Sequence, residues 1–258
     1  MTRRAAIPRG LAGAALLVLL AAAPARAADD FARANQDYAG QRYEEAISRY
    51  EALLADGVRH ASLYYNLGNA YFRAGHLGRA ILSFERALRL APDAEDARYN
   101  LQVARAAVAA RFGKDTVAGA EKDPLWIRVV TVLPLPTLLW SFLVLDVLFF
   151  AILVAVRFLS TGFLRTGLVV SNVFIGMAGA LLGLLLAGHV YFVENVRMSV
   201  VVADEVVMRE GPDPTRREMP KLHAGLRVIL LGESQGWYRI RLSNQVEGWV
   251  PRDAVEEI

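Results

Sequence analysis

Residues 61–94 constrain the fold more than any other part of the chain. Small residues, Gly68 and Ala80, stand where two helices must touch, and large ones flank them: Tyr64, Leu67, Tyr71 and Phe84. Ala87 and Leu88 continue the second apolar face, and Pro92 closes it. The spacing predicts a helix, a tight turn and a second helix. Such a pair cannot bury both faces alone, so it has to stack on neighbours of the same kind.

Counting back one period of 34 residues finds a weaker unit at 27–60, carried by Ala34, Tyr38, Gly40, Tyr43, Ala46, Tyr50 and Leu53. Ala46 and Ala80 are one period apart, as are Tyr50 and Phe84. After Pro92, Tyr99, Asn100 and Leu101 start like a third unit, which drifts into Ala-rich sequence with Arg105 and Arg111. We read this as half a unit plus a capping helix, ending near 112. The order aromatic, Leu-Gly, Tyr, Ala, Phe, Ala, Pro resembles the tetratricopeptide repeat. That resemblance implies an all-α solenoid over 28–112 with a concave surface for a peptide or protein.

In that family the first helix of each repeat lines the groove. Asn35, Asn66, Asn69 and Asn100 fall on first helices, with Phe31 and Tyr65 nearby. Amide side chains both donate and accept, so they suit the backbone of an extended ligand. The plainer alternative is that Asn is common at these consensus positions. Some repeats of this type clamp a terminal carboxylate with Asn and Lys/Arg. Asn35 and Asn66 match the amides, but Phe31, Asp96 and Asn100 stand where cations belong, which argues against a clamp.

The first 27 residues read as a secretory signal peptide: Arg3, Arg4 and Arg9, a short apolar core from Leu11 to Ala23, then Ala25-Arg26-Ala27. The alternative is an uncleaved first membrane helix. A polar linker and a short interfacial segment, Pro124 to Val130, cover 113–135. Residues 136–157 and 167–192 are each long and apolar enough to cross a bilayer at ~1.5 Å per residue. The loop between them, 158–166 with Arg157 at its edge, carries Arg157 and Arg165 and no acid. The positive-inside rule makes it cytoplasmic and both flanking domains external, in agreement with the signal peptide.

Asp146 sits near the middle of the first span, where a lipid-facing carboxylate costs at least ~2.5 kcal/mol. It is either a contact or coupling site or a tolerated polar residue turned toward the second span. Gly176, Gly179, Gly183 and Ala187 line roughly one face of that second span. They suit packing between the two spans or assembly with another membrane protein.

From Ser199 the texture changes to short strands: Val200-Val201-Val202, Val206-Val207-Met208, Leu226 to Leu230, and an alternating run from Trp237 to Leu242 that returns through Gly248-Trp249-Val250. Strand order and the Gly-Trp…Gly-Trp-Val-Pro signature resemble a bacterial SH3 domain over 197–258, an all-β barrel. In eukaryotic relatives a Trp, a Pro and a Tyr build a groove for Pro-rich peptides. Trp237 and Pro251 match two of these, with Trp249 beside them, and Ala254 stands where the Tyr would be. Bacterial versions bind cell-wall peptides or proteins. The alternative is that Trp237 and Trp249 pack the barrel.

The chain has no cysteine, which removes disulfides and thiolate chemistry. The histidines, His60, His76, His189 and His223, lie in different segments with no ligand spacing, and no phosphate-binding loop or serine elbow is present. We expect no enzyme, no metal and no cofactor. Acids and bases are mixed, with a net charge of +3, so no nucleic-acid stripe stands out.

The whole order resembles the BatE-type members of the Bat aerotolerance-operon proteins, above all through Ser62 to Asn69 and Gly248-Trp249-Val250-Pro251. The resemblance implies a non-catalytic inner-membrane component with periplasmic domains. Its partners would be von Willebrand factor A-type Bat membrane proteins and, indirectly, a MoxR-type ATPase. The alternative function is an envelope sensor whose barrel grips peptidoglycan. A transporter is a third reading, to which a single intramembrane acid gives little support.

Overall fold

The computed structural model describes residues 27–113, 129 and 133–258. The signal-peptide reading and most of the linker lie outside these residues. The architecture is of the expected class: a helical array, a pair of long apolar helices and an antiparallel barrel.

The array consists of α1 (27–39), α2 (Tyr43–Ala55), α3 (Ala61–Ala74), α4 (Leu77–Leu90) and α5 (Glu95–Phe112). Each helix has a local reason to start or stop. The His60 ring accepts from the Leu63 N–H at 3.0 Å and caps α3, one of the free donors every helix start must satisfy. Gly75 ends α3 at φ 88°, a left-handed conformation that glycine adopts without cost. Gly68 is the close approach foreseen from spacing: a methyl there would lie 2.7 Å from the buried Phe84 ring. Ala34, Ala46, Ala80, Leu63, Tyr50 and Phe84 form one continuous buried core. Asp37 of α1, only 8% exposed, accepts from Arg42 and Arg49 at 2.5 and 2.6 Å, which fixes α2 against α1.

Two helices follow, α6 (Leu135–Phe158) and α7 (Phe163–Asn195), packed on each other. Both are long and apolar enough to cross a membrane. Pro136 occupies the first turn of α6, where its missing N–H costs nothing. Helix α7 starts at Phe163, ahead of the apolar run expected from 167, and includes Arg165 in its first turn. Gly176 and Gly183 each face a ring of α6: added methyls would lie 3.0 Å from Phe149 and 3.2 Å from Phe142. The glycines therefore serve contact between these two helices, one of the two uses foreseen for them.

The barrel is built from β1 (Arg197–Val201), β2 (Glu205–Arg209), β3 (Glu218–His223), β4 (Arg227–Ser234), β5 (Trp237–Arg241), β6 (Glu247–Pro251) and β7 (Val255–Glu257), with a 3-10 turn at Arg252–Ala254. The order across the sheet is β3-β2-β6-β5-β4-β1-β7. Strand β3 was not foreseen: Pro220 interrupts its alternation, which an edge strand tolerates. Val201, Met208, Val228, Ile240 and Val250 fill the core.

Array and barrel touch. Val200 of β1 belongs to the buried core of the array, and Val202 and Ile258 pack against it. Arg227 of β4 reaches the buried carboxylate of Glu85 on α4.

Candidate functional site

The first-helix amides come together in pairs. Asn66 Nδ2 donates to Asn35 Oδ1 at 2.9 Å, and Asn100 Nδ2 donates to Asn69 Oδ1 at 2.8 Å. The two bonds are the same bond one repeat apart. Each runs between the first helices of successive units, so the amides tie α1 to α3 and α3 to α5.

Their remaining capacity is uneven. Asn35 Oδ1 also accepts from the Tyr50 hydroxyl at 2.7 Å, which uses both of its lone pairs. Burial pushes the Tyr50 hydroxyl up to about 12, against a smaller lowering by its contact with Asn66. It therefore stays a neutral donor. Asn100 Nδ2 also reaches the Tyr65 hydroxyl at 3.3 Å. All four amides and Tyr65 are half-buried, so each keeps part of its polar surface on the solvent side. Phe31 stacks edge-on to His60 at 5.3 Å and leans on Tyr50 at 5.9 Å, and Tyr99 is 67% exposed on α5. The surface is aromatic and amide-rich. It can hold an extended chain by hydrogen bonds and apolar contact, with no cation at the positions a carboxylate clamp needs.

On the barrel, register decides which residues face out. Trp237 is directly opposite Pro251, and Trp249 is opposite Arg239 on one side and Arg209 on the other. Side chains alternate along a strand, so these share one face while Tyr238, Ile240, Gly248 and Val250 share the other, buried one. Neither Trp237 nor Trp249 belongs to the buried core. Ala254, at the position of the third groove aromatic in the eukaryotic relatives, is buried at 4% exposure. Arg239 and Arg241 both bind Glu247, at 2.6 and 2.7 Å, and hold it below the usual carboxylate range.

Asp146 is exposed on α6, at the edge of a cleft of about 220 Å3 beside Gly176, Gly179 and Gly183. Asn172 of α7 is buried, and its carbonyl oxygen has no hydrogen-bond partner among the described residues. Among the described residues no three His, Asp or Glu side chains gather as a metal site would require.

Sequence reasoning missed Glu85, Arg105 and Arg227, which form the most enclosed ionic group of the array. A charged residue on the apolar stripe of α4 was the available signal, since Glu is rarely buried without a partner.

Residues 31–95 match the family model of the tetratricopeptide repeat, and residues 202–257 match that of the bacterial SH3 domain. Both are interaction domains rather than enzymes. None of the curated proteins compared with the chain matches it.

Proposed function

We propose that the chain is a non-catalytic adaptor, anchored in a bacterial inner membrane by α6 and α7, that presents the repeat groove and the barrel to partner proteins in the periplasm. One observation carries this reading. The array precedes both apolar helices and the barrel follows them, yet the two domains are in contact through Glu85 and Arg227. Two crossings return a chain to the side it left, so a two-span hairpin and this contact are mutually consistent, whereas a single crossing would separate the domains. The arginine-bearing turn between the helices supports a cytoplasmic turn and external domains.

The partners in this proposal are von Willebrand factor A-type Bat membrane proteins, with a MoxR-type ATPase supplying any energy-driven step in envelope stress. Site-specific crosslinking from Tyr65 and Asn69 in intact cells, followed by mass spectrometry, tests it. Recovery of such membrane proteins supports the reading, and recovery of soluble cytoplasmic proteins from these positions contradicts it.

A second reading, peptidoglycan binding, is favoured by the outward Trp237, Trp249 and Pro251 face. Co-sedimentation of the full-length protein with purified cell wall, lost in Trp237→Ala, would support it.

A further inference from the structure

Among the described residues the array ends at α5, one helix into its third unit. In the 34-residue register, Lys114, Ala118 and Glu121 stand where Ala80, Phe84 and Ala87 stand one unit earlier. A long cation replaces the close-contact alanine, a methyl replaces the aromatic ring, and a carboxylate replaces a core alanine. The residues that mark the second helix of a repeat therefore do not recur at their positions after α5. Helix α4 would then keep an uncovered face, and repeat arrays with uncovered ends need a cap.

The unit before shows what that face requires. Ile47 and Glu51 on α2 stand one period before Ile81 and Glu85 on α4. Ile47 is buried, and Glu51 accepts from the Tyr71 hydroxyl on the first helix of the next unit. Arg79, Ser83 and Arg86 of the next second helix line the hollow around Glu51, with Glu256 of the barrel at its edge.

On α4 the first half of this arrangement recurs. Arg105, one period after Tyr71, donates to Glu85 Oε1 at 2.6 Å from α5. The second half comes from the barrel. Arg227 donates to both oxygens of Glu85, at 3.0 and 2.5 Å. The turn at Gly225 sits on Ile81, and Gly78 lies so close to Val202 that a methyl would come within 2.6 Å of its carbonyl oxygen. His223 stacks on Phe112 at the end of α5, with ring centres 4.8 Å apart.

We propose that the barrel is the cap of the helical array, taking the face of α4 that the second helix of a third repeat would cover. The docking serves the barrel too. Strand β7 is at an edge of the sheet, and an open edge offers unpaired carbonyls to other chains. Arg86 and Arg89 of α4 donate to the carbonyls of Glu257 and Ile258 and occupy that edge. Each domain hides the surface on which the other would aggregate. This assigns the barrel an intramolecular role independent of any ligand, and it does not depend on the membrane reading.

The absence of native cysteine allows a direct test in the full-length protein in detergent. Nitroxides at Ser48→Cys on α2 and Arg217→Cys on the barrel should give one narrow distance by pulsed electron paramagnetic resonance. Gly78→Trp should broaden it by wedging the domains apart. Arg227→Ala, the milder change, should speed amide exchange in α4 and α5 by roughly tenfold, because opening a packed face lowers the protection of the elements beneath it. Should Gly78→Trp fail to fold, Arg227→Ala alone decides. A broad distance distribution in the unmodified protein, or unchanged α4 and α5 exchange in Arg227→Ala, overturns the proposal.

Discussion

Arg227 and Glu85 are 142 residues apart in sequence, on opposite sides of two long apolar helices, and they meet in a two-point ion pair. Glu85 is 6% exposed and Arg105 completes its shell. A buried carboxylate held by two guanidinium groups is sensitive to loss of the carboxylate, because both cations are then left uncompensated. We expect Glu85→Ala to lower stability by about 3 kcal/mol, the usual cost of breaking a buried pair from one side. Denaturant unfolding of the full-length protein measures it. A change below ~1 kcal/mol would mean that the pair is solvated like a surface bridge.

Gly68 of α3 packs directly against the ring of Phe84 on α4. Gly68→Ala places a methyl 2.7 Å from a ring that is itself 1% exposed, so the ring cannot swing into solvent. Overpacking of this kind costs about 1–3 kcal/mol. Thermal unfolding should therefore start earlier in Gly68→Ala, although alanine favours helix over glycine.

Asp37 supplies a pH dependence. Hydrogen bonds from Arg42 and then Arg49 hold its carboxyl below the ordinary value, against opposition from burial. A lowered folded-state value means that this contribution is fully present above the unfolded value of ~3.9 and is lost as pH falls through the folded one. Acid unfolding of α1 and α2 should begin below about pH 4. Asp37→Asn should flatten that dependence while weakening the array at neutral pH. An unchanged acid limb in Asp37→Asn would contradict the assignment.

The amides join successive repeats, and in the proposed function they also contact the partner, so their removal should have two effects. Asn66→Ala with Asn69→Ala deletes the bonds to Asn35 and Asn100. At about 0.5–1.5 kcal/mol per hydrogen bond, stability should fall measurably but the fold should persist. Partner recovery by crosslinking from Tyr65 should be lost. Retained recovery with a normal helical spectrum would remove these residues from the binding surface.

On the barrel, the face on which a residue lies sets its cost. Ile240→Ala opens the core and should cost about 2–5 kcal/mol. Trp237→Ala removes an outward ring and should cost far less while abolishing any ligand binding by that face. Equal costs would place Trp237 in the core.

Periodicity revealed much of this fold in advance. Ala46 and Ala80, Tyr50 and Phe84, and the alternation of Trp237 to Leu242 carry enough signal because their partners lie within the same repeat or hairpin. Glu85 stands on the apolar stripe of α4, which signals a buried charge, but its second partner lies beyond both apolar helices, where no local pattern can point. Strand β3 was hidden by Pro220, and the start of α7 by Arg165, which interrupts hydropathy without interrupting helix. The amides were legible as a set, but not their pairing, since a bond between Asn35 and Asn66 depends on how two units stack.

The central claim is that array and barrel stand on one side of a membrane, joined beneath by α6 and α7. Single cysteines at Ser48 on α2, Ser160 between the long helices and Arg217 on the barrel test it with a membrane-impermeant maleimide on intact spheroplasts. Labelling at Ser48 and Arg217 without permeabilisation, and at Ser160 only after it, is the predicted result. Labelling of only one of Ser48 and Arg217 in intact spheroplasts would put the two domains on opposite sides and contradict the account.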